Sequence, residues 1–172
     1  MIKKIILLIG VWLFFVSVAC AFDHSHARWN SLLQQHVHWD EKGVASRIDY
    51  SAFQQQPGLD VYLAELSATS LQRYQGWSKP QQLAFLINAY IAFTIKLILS
   101  KYPNLESIKA LGSFFTSPWE KKFFHLLGRR RSLDEIEHDM IRQPGAFDEP
   151  RIHFAVVCEP LDGPLVHCEP CF

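Results

Sequence analysis

Apolar residues recur along this chain with helical spacing in some stretches and with alternation in others, and the changes of period mark its elements. In "ARWNSLLQQHVHWDEKG", Trp29, Leu32, Leu33 and His36 fall at helical spacing, which predicts a short helix closed by Gly43. "ASRIDYSAF" follows as a brief extended piece. "GLDVYLAELSA" is amphipathic, with Leu59, Tyr62, Leu63 and Leu66 on one face of a helix, and "SLQRYQGW" has the composition of a linker. The strongest pattern is "SKPQQLAFLINAYIAFTIKLILSKYP". Ser78 and Gln81 form a capping box, Pro80 suits a first turn, and Pro103 stops the helix. Apolar side chains cover almost its whole circumference, leaving only the arc near Gln82 and Lys96 polar, so it predicts a central core helix, with a membrane span as the alternative. Asn88, Tyr90, Thr94 and Lys96 interrupt the apolar run, which favours the core. "EKKFFHLLGRRRSL" predicts a hairpin turning near Gly128, "SLDEIEHDMIR" a helix with its own Ser132/Glu135 capping box, "QPGAFDEP" a turn, and "RIHFAVVC" a strand.

The first residues stand apart from this pattern. Lys3 and Lys4 precede an uncharged apolar run from Ile5 to Val18, and Ala19-Cys20-Ala21 places small residues where a signal peptidase reads them. Residues 1–21 are therefore expected to be an export signal cleaved before Phe22, which predicts a periplasmic or secreted protein. An uncleaved anchor is the alternative. Lipid attachment at Cys20 is disfavoured because Ser17 stands where such a signal carries a Leu-like residue.

The 172 residues suffice for one domain with a core, and carry 17 basic and 17 acidic side chains. Removing the leader removes two lysines and no acids, leaving a net charge of −2, which suggests neither nucleic acid nor a membrane as a partner after cleavage. An unidentified small molecule or peptide remains as the expected partner. Export implies an oxidising compartment, and the odd set Cys158, Cys168 and Cys171 leaves one thiol unpaired or reactive.

Glu137 is the most informative candidate for chemistry. It falls inside the apolar stripe of Leu133, Ile136, Met140 and Ile141, and a carboxylate turned toward a core is costly unless it is paired. It is either a site residue or half of a buried pair with Arg151 or His153. His138 lies just off the stripe, one turn from Asp134 and Glu135, so it is either a base or a member of a surface ion pair. Asn88 lies between Ile95 and Leu99 on the long helix, where its amide must find partners or serve a site. His153 and Cys158 suggest a thiol–imidazole pair, but five residues apart on a regular strand they point to opposite faces; His138 could act as the base instead, and a buried inert cysteine is the alternative. "HSH" at 24–26, "HVH" at 36–38 and the tail set of Cys158, His167, Cys168 and Cys171 are weak metal signals, so no metal and no cofactor is expected. The Arg129–Arg131 run is expected to be a solvated turn, because no second basic cluster accompanies it.

"RIDYSAF", "QQLAFLINAYIAFTIKLIL", "YPNLESIKALG", "SPWEKKFF", "RRRSLDEIEHDMIR" and "DEPRIHFAVVC" resemble, in order and spacing, the family called domain of unknown function 547, from about Trp29 to Cys158. Relatives read close to F-W-I-N-A-Y-N-A on the long helix; here Leu86 replaces the aromatic residue and Ile91 the second asparagine. After Cys158 relatives continue for many tens of residues, whereas "CEPLDGPLVHCEPCF" diverges, which suggests a frame shift or premature end. The expected organisation is thus a leader over 1–21, the N-terminal part of the family domain over 22–158 and a divergent tail over 159–172. The expected fold is a helix-rich α+β domain with a central buried helix and a small antiparallel sheet, its C-terminal part missing. The resemblance implies a pocket lined by Asn88, Glu137, His138, His153 and Cys158. Three functions follow: a thiol-type hydrolase or acyltransferase with Cys158 as nucleophile, a non-catalytic extracytoplasmic binding or scaffold module, or a defective fragment of either.

Overall fold

The computed structural model describes residues 21–39, 46–105, 117–152, 160–161 and 165–166. Asp23 starts the first helix, α1 (Ala27–His36). Its Oδ1 accepts from the Ser25 backbone N–H (2.9 Å) and hydroxyl (2.6 Å), and its Oδ2 from the Ala27 N–H (3.0 Å). These bonds hold the Asp23 carboxyl below its ordinary pKa. α1 buries Trp29, Leu32 and His36. It ends at His36, short of the predicted stop at Gly43, because Val37–Trp39 turns into a strand, β1, paired antiparallel with β2 (Ser46–Ile48). Val37, His38 and Trp39 carry β-branched and aromatic side chains that suit a paired strand, and the pairing overrides the helical pattern. Asp49 then caps α2 (Tyr50–Gln54) by accepting the Ala52 N–H at 2.9 Å.

α3 (Pro57–Ser67) buries the four residues its periodicity selects, and Tyr62 stacks on Trp29 with ring centroids 5.3 Å apart. The expected linker contains a helix, α4 (Leu71–Gln75), closed at its start by Ser70, whose hydroxyl accepts the Arg73 N–H at 3.2 Å. α5 (Lys79–Leu99) opens with the predicted capping box, the Ser78 N–H donating to Gln81 Oε1 at 3.0 Å. By length and composition it would suit a membrane crossing, but Phe85, Leu86, Ala89, Tyr90 and Ile95 are fully buried in this fold and it packs on α3. Each of its large apolar side chains contributes about 1.5–3 kcal/mol of burial. Its polar arc finds partners: Gln82 Nε2 donates to the Tyr74 and Trp77 carbonyls, and Lys96 pairs with Asp60.

A short 3₁₀ turn at Pro118–Glu120 leads into the predicted hairpin, β3 (Phe124–Leu126) and β4 (Arg129–Arg131), paired antiparallel. Phe124 stacks on Phe93 of α5 at 3.9 Å. Leu127 and Gly128 form the turn with φ of 52° and 79°. A leucine is an unusual choice for the left-handed region, and burial of its side chain offsets the strain. The last well-packed element, α6 (Glu135–Ile141), is wound as a π-helix and buries Ile136 and Ile141 against α5. β5 (Pro160–Leu161) and β6 (Leu165–Val166) form a third antiparallel pair. The helix-rich α+β class, the central buried helix and the antiparallel pairing stand as expected, and among the described residues the strands pair two by two. Arg151 lies in a turn where a strand was expected to begin, Ile152 N–H bonding to the Glu149 carbonyl at 3.1 Å, and the remainder of that predicted strand lies outside the described residues.

Candidate functional site

Ser132 builds the start of α6. Its N–H donates to Glu135 Oε2 (3.0 Å) while its hydroxyl accepts the Glu135 N–H (3.2 Å), the reciprocal capping box the sequence predicts. Leu133, Ile136 and Ile141 anchor the helix in the core, and this fixes the direction of Glu137. Its side chain is only 13% exposed and both carboxylate oxygens are engaged. Tyr90 of α5 donates its hydroxyl to Oε2 at 3.0 Å, and Arg142 Nη1 lies 3.1 Å from Oε1. Glu137 therefore turns inward as expected, and among the described residues it meets Arg142 and Tyr90 and not Arg151. Arg151 is 78% exposed and grips Glu149 through Nε–Oε1 (2.8 Å) and Nη2–Oε2 (2.6 Å), holding that carboxyl at about 2.

π-winding explains why Arg142 was missed. On an α-helical wheel, residues five apart lie about 140° from one another. The π-turn places i and i+5 in register, with the Arg142 N–H bonded to the Glu137 carbonyl at 2.8 Å, and so brings the two side chains together. No sequence signal marks this winding. Tyr90 was legible as a polar interruption of α5, though not as the partner of Glu137.

The remaining candidates do not join this cluster. His138 is 54% exposed, with Nε2 lying 3.6 Å from Asp134 Oδ1, the surface pair that its spacing allows. Asn88 is half-buried, and its side chain makes no hydrogen bond among the described residues. Two positions from Tyr90, it projects about 200° around α5 from the residue that reaches Glu137. His153 and Cys158 lie outside the described residues, as do His167, Cys168 and Cys171. The two His-x-His pairs separate: His26 is buried with Nδ1 2.7 Å from Tyr62 Oη, His24 packs edge-on to Trp77, His36 packs on Phe53, and His38 is exposed opposite Arg47. Among the described residues no three His, Cys, Asp or Glu side chains gather closely enough to hold a metal ion.

Beside the Glu137–Arg142 pair lies a cavity of about 340 Å³, walled by Ile141, Arg142, Gln143, Phe147, Glu149 and Ile152 among others. Its far wall is clamped to α5, since Lys79 donates to the Ala146 carbonyl at 3.0 Å and lies over the Phe147 ring. Arg142 is 27% exposed, and its Nε is buried without a hydrogen-bond partner among the described residues. The arrangement can present a fixed guanidinium to an oxygen acceptor at the edge of a recess of mixed polar and apolar lining. Two other cavities, of about 140 Å³ beside Asp60 and Lys96 and about 630 Å³ beside Phe22, Arg28 and Glu65, lie away from this cluster.

A family model described as "Protein of unknown function, DUF547" matches residues 74–169, more than half of the chain. The match begins at α4 and runs past Cys158, whereas the resemblance legible by eye spans Trp29 to Cys158. No curated protein and no solved structure matches.

Proposed function

The chain belongs to this family of proteins of unknown function, DUF547, and from the geometry of its own residues we propose that it is an exported, non-catalytic binding module. The observation that carries this reading is the state of Glu137. A carboxylate that accepts from Tyr90 and pairs with Arg142 is occupied in orienting a guanidinium, and is not free to orient a histidine base. His138, turned to water and paired with Asp134, is poorly placed to serve a nucleophile in a dry pocket. The 340 Å³ recess beside Arg142 has the size and the mixed polar and apolar lining suited to a small molecule or a peptide side chain. Export is supported by the leader pattern. Phe22, the first residue after the predicted cleavage bond, already packs against Trp77 and Phe85 and would be retained in the cleaved chain.

Alkylation of the full chain by iodoacetamide near neutral pH, followed by peptide mapping, tests this reading. The module reading requires no base beside Cys158 and so predicts that this thiol reacts no faster than an unperturbed one. Alkylation of Cys158 about tenfold or more above that rate, together with turnover of an activated ester, would establish the thiol hydrolase in its place. N-terminal sequencing of the exported product is expected to begin at Phe22.

A further inference from the structure

The charges of this chain balance in number but not in place. Between Lys121 and Arg131 stand five Lys and Arg and no Asp or Glu, leaving twelve basic against seventeen acidic side chains elsewhere. In sequence the Arg129–Arg131 run is isolated at a turn. The antiparallel register supplies the second basic cluster that the sequence lacks, by setting exposed Arg130 opposite exposed His125 with Lys121 and Lys122 leading into the same ribbon. Neutralisation is partial. Lys122 pairs with Glu135 at 2.7 Å and Arg130 Nη2 donates to the Lys122 carbonyl at 3.0 Å, while exposed Lys121 and Arg129 make no ion pair among the described residues. The inner side of the ribbon is fixed, because Phe124, Leu126 and Leu127 are buried and Phe124 stacks on Phe93. The charges therefore stand on a pre-organised support.

We propose that this cationic hairpin docks the protein onto an anionic phospholipid bilayer. Charge complementarity selects an anionic occupant, and the shape of the hairpin selects an extended one. Its residues line none of the three cavities described above, so none of those cavities encloses a free phosphate at the hairpin. Single-stranded nucleic acid calls for exposed rings on which bases stack, and here Phe124 is buried and Phe123 packs edge-on to Phe93. A planar array of phosphates needs neither enclosure nor rings, and each Lys or Arg near such a surface raises partitioning about fivefold. The net charge of the whole chain hides this, because Glu135 is the one acid paired with the ribbon among the described residues and every acid lies outside residues 121–131 in sequence. The inference is independent of the binding-module reading, since it uses no residue of the Arg142 recess.

Co-sedimentation of the full chain with vesicles tests it. The apolar leader can enter any bilayer, so the readout is the difference between phosphatidylcholine vesicles and vesicles containing about 30% phosphatidylglycerol. Partitioning is expected to be higher on the anionic vesicles in about 50 mM salt, and the excess to vanish in about 500 mM salt. Lys121→Ala/Arg129→Ala removes two charges that make no side-chain hydrogen bond among the described residues and should reduce the excess about twenty-five-fold at an unchanged melting temperature. Arg129→Ala/Arg130→Ala, which exchanges Lys121 for Arg130, should reduce the excess equally, with a small fall in melting temperature from the lost Arg130 bond to the Lys122 carbonyl. Equal sedimentation with both vesicles, or an excess that survives both double substitutions, overturns the proposal. Sedimentation with neither vesicle overturns it as well and leaves an acidic protein as the partner to seek.

Discussion

Removing the Glu137 carboxylate should weaken the fold by an amount that can be worked out from its two contacts. The hydroxyl of buried Tyr90 donates to it at 3.0 Å, and a hydrogen bond to a charged acceptor contributes about 1.5–3 kcal/mol. The Arg142 pair, 13% and 27% exposed, lies between exposed pairs near zero to 1 kcal/mol and buried ones costing about 3–5 kcal/mol to break, so about 1–2 kcal/mol is its share. Glu137→Ala should therefore cost about 3–4 kcal/mol, and for a chain of this length lower the melting temperature by about 10 °C. Glu137→Gln keeps an oxygen for Tyr90 but drops the charge, and should cost about half as much. Glu137→Leu/Arg142→Met, which replaces both charges with apolar groups, should melt closer to the parent than Glu137→Ala does. Far-UV circular dichroism melts of the four chains, with a Tyr90→Phe cycle to isolate the coupling, supply the measurement. A Glu137→Ala melt within about 1 °C of the parent, or strict additivity with Tyr90→Phe, would show that the carboxylate does not hold α6 to α5.

Two further outcomes are expected. Burial holds His26 below its ordinary pKa near 6.5, with Asp23 opposing and His24 reinforcing the shift. The unfolded chain then binds the proton more readily, so the His26 contribution to stability is complete above about 6.5 and is lost as pH falls through the depressed folded value. Melting temperatures measured from about pH 7.5 to 5 should therefore fall more steeply for the parent than for His26→Asn, whose short amide tolerates the left-handed backbone at φ 49° and can still meet Tyr62; parallel curves would contradict this. Phe93→Ala should cost about 3–5 kcal/mol in urea unfolding with little change in m, and should expose the amides of β3 and β4 to faster hydrogen exchange, because the Phe93–Phe124 stack is what seats the hairpin.

Local chemistry was legible in the residues themselves. The capping boxes at Ser78 and Ser132, the buried faces of α3 and α5, the hairpin at Gly128 and the inward turn of Glu137 all depend on neighbours within a turn or two, and the sequence shows those neighbours directly. What the fold alone decided involves partners distant in sequence or a winding that the sequence does not announce. Val37–Trp39 became a strand because Ser46–Ile48 pairs with it, and among the described residues each strand hydrogen-bonds to one other strand. Arg142 reached Glu137 through a π-turn, while Asn88 was carried to another side of α5 by two steps of an ordinary helix. The cationic face arose in the same way, from a cross-strand register that sets His125 beside Arg130. Periodicity establishes which side of an element is buried, but what waits on that side is settled only when distant parts of the chain pack together.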